Sequence, residues 1–188
     1  MSIRADMVSN CRWAAAHNAD IHYAEKRPIP VGHTPRTVPF TTDCSGWATL
    51  CAKWAGAPDP NGLGYNGSGF TGTLLHHLWT RRSRRRARRG DLCVFGQPPG
   101  IHVVILLQTV LLHPDPLICS HGWEGEPFIM RFSEEAAGFP GQKQTFLNLL
   151  RNAQGVAVAH AFSVEELAKG NPSVYPQSLK DMEKGKVT

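Results

Sequence analysis

Apolar residues recur at helical spacing through the first third of the chain, and beyond residue 90 they come in short runs bounded by turns. Ile3, Met7, Cys11 and Ala14 or Ala15 line one side of residues 3–18, which predicts an amphipathic helix. From Cys44, the residues at +3, +6, +7 and +10 are Trp47, Leu50, Cys51 and Trp54, one buried face of a second helix, with Asp43 as its N-cap and Gly56 as its stop. Between the two, residues 26–42 hold four prolines and read as an extended connection. Residues 57–72 form a long glycine-rich loop, and Thr73 to Trp79 a short helix. The period then changes. Leu92-Cys93-Val94-Phe95, residues 101–107, residues 117–121, Pro127 to Phe132 and Thr145 to Leu150 read as strands, with Ser133-Glu134-Glu135 and a Gly/Pro turn between the last two. Helices first and strands after predict an α+β fold, the Cys44 helix packed on an antiparallel sheet of about five strands. Ser163-Val164-Glu165-Glu166 opens a short last helix and the chain is polar from Lys169 onward. The organisation is therefore one domain over residues 1–162, followed by a helix and a flexible tail over 163–188.

Composition narrows the class. Hydrophobic residues make up 41% and charged residues 19%, a globular balance. No run approaches the roughly 20 apolar residues of a membrane span, and no signal-peptide core follows Met1. Five cysteines, Cys11, Cys44, Cys51, Cys93 and Cys119, are odd in number and lack a C-x-x-C pair, so disulfide-framework and zinc readings recede and no metal or cofactor is expected. All but Cys44 lie in apolar segments as small core residues; strand alternation puts Cys119 on the face of His121, bordering any cleft there. His33 and His113 sit in loops, His160 in a late apolar segment, and the adjacent His76 and His77 cannot easily share one metal on a helix.

Charge is concentrated in one place. Arg81, Arg82, Arg84, Arg85, Arg86, Arg88 and Arg89 are seven of the 20 basic residues; without them 13 basic residues face 15 acidic ones, and the net charge of +5 becomes −2. The run admits three readings: phosphate contacts to nucleic acid, attraction to an anionic cell-envelope polymer, or a solvated loop before the Gly90 turn.

The chemistry centres on Cys44. A cysteine on the first turn of a helix meets unpaired N–H groups and the positive end of the helix dipole, which favour the nucleophilic thiolate. His102 is the polar residue of an otherwise aliphatic strand, and His121 closes the next one. A nucleophile at a helix start, a histidine at a strand start and a third polar group on a neighbouring strand make the layout of a thiol hydrolase: Cys44 attacks, His102 takes the proton, His121 orients His102.

Asp43-Cys44-Ser45-Gly46, Gly90-Asp91-Leu92, Ile101-His102-Val103 and Ser120-His121-Gly122 come in an order and spacing that resembles the NlpC-type papain-like cysteine peptidases, which cut the peptide stems of bacterial cell walls. The run from Ile21-His22-Tyr23 through Asp43-Cys44 to Ala57-Pro58-Asp59-Pro60-Asn61-Gly62 looks like the peptidase part of endolysins from phages of actinobacteria, and the likeness covers roughly residues 1–150. It implies the papain-like fold, Cys44 as nucleophile, His102 as general base and His121 as the third polar group. It also matches Tyr23 to a tyrosine that lines the active site near the oxyanion, although Ala24-Glu25-Lys26-Arg27-Pro28 follows where relatives have a glycine-rich turn. The Cys44 N–H is the first oxyanion donor; Asp43, Ser45 and, from the long loop, Tyr65 and Phe70 are further candidates for contacting substrate.

The resulting expectation is a monomeric peptidoglycan endopeptidase, made in the host cytoplasm without a signal peptide and acting on the wall after release by a separate membrane-permeabilising protein. A related thiol amidase or acyltransferase uses the same triad. A non-enzymatic, arginine-rich nucleic-acid-binding or virion module is the reading from another class.

Overall fold

The computed structural model describes residues 2–76, 80–122 and 125–148. The expected end of the last strand at 149–150, His77, His160, the capping box at Ser163 and the tail of 163–188 lie outside them.

The first helix, α1 (Ile3–Ala16), is capped by the Ser2 hydroxyl and buries Met7, Val8, Cys11 and Ala14. A short 3-10 turn leads into β1 (Ile21–Tyr23), which pairs in parallel with β2 (Phe40–Thr42). The proline-rich connection therefore ends in a strand beside the helix that starts at Cys44, a pairing hidden from sequence because each strand has only three residues. Next come α2 (Cys44–Trp54) and α3 (Thr71–His76). The main sheet has six strands: β3 (Thr80–Arg82), β4 (Leu92–Phe95), β5 (His102–Leu106), β6 (Leu117–Ser120), β7 (Phe128–Arg131) and β8 (Gln144–Asn148), with α4 (Phe132–Ala137) between the last two. Their order is β3-β8-β4-β5-β6-β7 and every pairing is antiparallel. The fold is α+β, as the pattern of elements predicted. The sixth strand is β3, formed within the start of the arginine run; α4 stands where only a break between strands was expected.

Strand alternation divides the core into two layers. Leu92, Val94, Val103, Ile105, Cys119 and Leu147 pack with α1 and α2 on one face. Cys93, Phe95, Val104, Leu106, Ile118 and Phe146 face the other way and pack with Phe132 of α4. All five cysteines are free and buried. Cys11 and Cys51 approach to 3.7 Å between sulfurs, joining α1 to α2. Cys119 is 1% exposed and packs in that layer, so it does not border a cleft.

The glycine-rich segment 57–72 is an ordered coil built on Asp59. Its carboxylate accepts from the N–H groups of Asn61, Leu63 and Tyr65. Asn61 in turn donates to Thr49 Oγ1 on α2 and accepts from Thr73 Oγ1 on α3. Backbone and side-chain polar groups are thus paired internally, which is what allows the loop to be buried.

Candidate active site

Cys44 is the first residue of α2, and the polar groups around it build that helix start. Asp43 Oδ1 accepts from the Gly46 N–H at 2.6 Å and from Ser45 Oγ at 3.0 Å. Asp43 Oδ2 meets Arg27 Nη2 at 2.9 Å, and the same nitrogen donates to Ser45 Oγ. Arg27 Nε reaches on to the Gly69 carbonyl at 2.7 Å, joining the helix cap to the end of the buried coil. Gly46 is required here: a Cβ would run into Thr42 Oγ1 and crowd the Asp43 carboxylate. The Cys44 N–H is left at the open end of the helix, where dipole and N–H both favour negative charge. Asp43 and Ser45 are 4% and 2% exposed with their side chains committed to this cap, so both position Cys44 and neither offers a free group to substrate.

His102 opens β5. Its Nε2 lies 3.0 Å from Ser120 Oγ and 2.8 Å from Glu135 Oε1, and Ser120 also donates to Glu135 at 2.9 Å. That leaves Nδ1 open, and the Cys44 thiol is near enough to act on the ring electrostatically. The ring is stacked on Phe139 at 5.3 Å and a 7° interplanar angle, with Phe95 6.3 Å away. Burial disfavours the imidazolium, but the charge and hydrogen bond of Cys44, followed by those of Glu135, outweigh it and raise the His102 pKa to about 10. For Glu135, burial pushes the pKa up, and the opposing pull of His102 and Ser120 leaves it below its ordinary value. The pair is therefore ionised across the neutral range.

Glu135 takes the position expected of His121, and register explains why. Ile105 pairs with Cys119 and Leu106 with Ile118, so His121 falls beside Val103 and shares its face of the sheet. His102 and Ser120 are on the opposite face, under α4. His121 Nε2 hydrogen-bonds the Thr42 carbonyl at 2.9 Å, and its ring meets Tyr23 edge-on at 5.5 Å. Burial dominates its titration: the pKa falls to about 4, against weaker upward pulls from Thr42, Asp43 and the Glu126 backbone. His121 is thus a neutral strut under the loop that delivers Asp43 and Cys44.

Tyr23 stays with the site. Its hydroxyl donates to Glu25 at 3.0 Å, and burial, then the nearby Cys44, Glu25 and Asp43, raise its pKa. Tyr65 leaves it. Its hydroxyl is spent on the Ala57 carbonyl at 2.8 Å and its ring lies under Lys53, nine residues along α2 from Cys44, or about 14 Å at 1.5 Å per residue. Phe70 is 4% exposed and belongs to the core. Sequence reasoning missed Glu135, Ser120, Arg27 and Phe139. The one available signal for Glu135 is its i+3 spacing from the apolar Phe132, which places it on the inward face of a one-and-a-half-turn helix. Among the described residues no group of three or more His, Cys, Asp or Glu is arranged to hold a metal ion.

No family model and no curated protein matches the chain. Among solved structures it is similar to the NlpC/p60 domain of the peptidoglycan hydrolase SagA, with 17% identity, a TM-score of 0.47, and coverage of 77% of this chain and 97% of that one. It is also similar to the peptidoglycan hydrolase RipB from Mycobacterium tuberculosis, with 16% identity, a TM-score of 0.48, and coverage of 78% of this chain and 66% of that one.

Proposed function

We propose that the chain is a cysteine peptidase of the cell-wall type, hydrolysing an amide bond in a peptidoglycan stem peptide. The observation that carries the reading is the buried relay from Cys44 through His102 to Glu135, with the thiol at a helix N-terminus. The four short motifs shared with NlpC-type peptidases support the substrate class.

The geometry supports the following steps. Cys44 Sγ, as thiolate, attacks the scissile carbonyl carbon, and the oxygen takes the negative charge beside the Cys44 N–H. Tyr23, close enough to Cys44 to feel its charge, is the side chain we assign to border that oxygen. The imidazolium of His102 gives its proton to the departing amine, the C–N bond breaks and a thioester remains. Neutral His102 then draws a proton from water, hydroxide adds to the thioester, and collapse releases the acid and restores the thiolate beside the imidazolium. Glu135 and Ser120 hold Nε2 throughout, keeping Nδ1 aimed at sulfur.

A role as a phage endolysin, made in the cytoplasm and released to the wall at lysis, extends this reading and rests on the resemblance of residues 21–62 to actinobacterial phage lysins. Incubation of purified actinobacterial peptidoglycan with the wild type and Cys44→Ala, followed by mass analysis of released fragments, tests the proposal. New peptide-bond termini appearing with the wild type alone are expected; an intact wall with both folded proteins overturns it.

A further inference from the structure

The arginine run is solvated, as one of its three readings expected, but its backbone is a constrained turn. Arg84–Arg86 forms a 3-10 turn whose carbonyls and N–H groups bond locally, and Ala87, fully buried, anchors it in the α4 layer of the core. Val110 N–H donates to the Ala87 carbonyl, and the Arg88 N–H donates to Asp91. Asp91 is itself fully buried and turned inward to Arg4 at 2.7 Å and Arg82 at 3.6 Å. Around this frame Arg84, Arg85, Arg86, Arg88 and Arg89 are exposed. Arg84 is partly engaged: it lies over the buried Phe132 ring, donates to the Pro114 carbonyl and feels the Asp115 carboxylate. The guanidinium groups of Arg85, Arg86, Arg88 and Arg89 make no ion pair or side-chain hydrogen bond among the described residues.

Four unpaired like charges on five successive residues repel one another, and a fixed backbone keeps them together. Such an array is suited to a polyanion, which releases condensed counterions when it binds. Guanidinium forks match phosphate oxygens bidentately. Among the described residues no exposed aromatic ring accompanies them: Phe132 is buried, and Phe128 lies on β7, at the far edge of the sheet from β3. The described residues thus offer a single-stranded nucleic acid no stacking platform, whereas a polymer with phosphates and no bases needs none. The turn also sits away from the catalytic end. Gly90 bonds to Leu106 while His102 opens the same strand, four residues or about 13 Å away.

We propose that this turn is a docking site for a linear phosphodiester polymer of the polyol-phosphate type, separate from the Cys44 site and independent of the hydrolase reading. The test is binding of the full chain to fluorescent poly(glycerol phosphate), single-stranded DNA of equal charge and poly-glutamate across a salt series. Two variants accompany it, glutamine or lysine at all four of Arg85, Arg86, Arg88 and Arg89, with unchanged thermal melts as the folding control. The wild type is expected to bind poly(glycerol phosphate) at low salt at least 10-fold tighter than poly-glutamate. The glutamine variant should bind at least 10-fold more weakly than the wild type, with the slope of log K against log salt shallower by about 3, and the lysine variant should keep that slope. Equal binding by the glutamine variant, no binding to the phosphate polymer, equal affinity for poly-glutamate, or DNA bound more tightly than poly(glycerol phosphate) would each overturn the assignment. If the quadruple variants do not fold, glutamine at Arg88 and Arg89 alone should reduce the slope by about half as much, and an unchanged slope overturns it equally.

Discussion

His102 Nε2 lies 2.8 Å from Glu135 Oε1, with the two residues 4% and 2% exposed. A carboxylate so placed fixes the imidazole tautomer and stabilises its charged form. Glu135→Gln keeps the shape and removes the charge, so kcat should fall on the order of 10²-fold and the His102 pKa should drop from about 10. His121→Phe keeps a ring against Tyr23 and should leave kcat within about threefold, since His121 is not bonded to His102. Steady-state kinetics with both variants settle the third group: a large kcat loss in His121→Phe with little in Glu135→Gln would restore the histidine to that role.

His121 makes the protein acid-sensitive. Its pKa in the fold is about 4 against an ordinary 6.5, so the unfolded chain binds its proton first as pH falls. Stability from this group is complete above pH 6.5 and is lost between there and about 4, amounting to about 3 kcal/mol. Urea midpoints measured from pH 7 to 4 should decline less steeply in His121→Phe than in the wild type.

The raised pKa of His102 acts at the other end of the scale. A base favoured as its cation in the fold adds stability that is complete below 6.5 and lost as pH rises through about 10. Cys44 is the largest upward pull, so Cys44→Ala should lower the His102 pKa and flatten stability between pH 7 and 10. Histidine NMR titration reads this directly; an unmoved His102 resonance would show that the thiol does not reach the ring.

Arg27 carries no chemistry but ties Asp43, Ser45 and Gly69 together. Arg27→Met should destabilise by about 1–2 kcal/mol, since Asp43 loses its charged partner while keeping its helix-cap bonds. Arg27→Lys, unable to span three acceptors, should recover part of that in chemical denaturation.

Much of this architecture was legible in residue order. Trp47, Leu50, Cys51 and Trp54 announced α2, and Asp43 caps it as its identity suggested. The strands around Cys93, Val104 and Ile118 followed from apolar runs between glycine and proline turns. What sequence could not reveal was register. His121 and Ser120 are adjacent, and only the pairing of Ile105 with Cys119 decides which of them shares the face of His102. Nor could it show that six residues after β7 would coil back over that face, because a helix so short has almost no intrinsic stability and is held by packing of Phe132 and by Asp115 accepting from Ser133.

The most direct test of the central claim is to trap the acyl-enzyme. Wild-type protein, acid-quenched during turnover of isolated wall peptides, should gain the mass of an acyl fragment on the tryptic peptide containing Cys44, and Cys44→Ala should gain none while folding normally. Hydrolysis by the wild type with Cys44 unmodified throughout, or equal hydrolysis by Cys44→Ala, would contradict a thiol mechanism at this site.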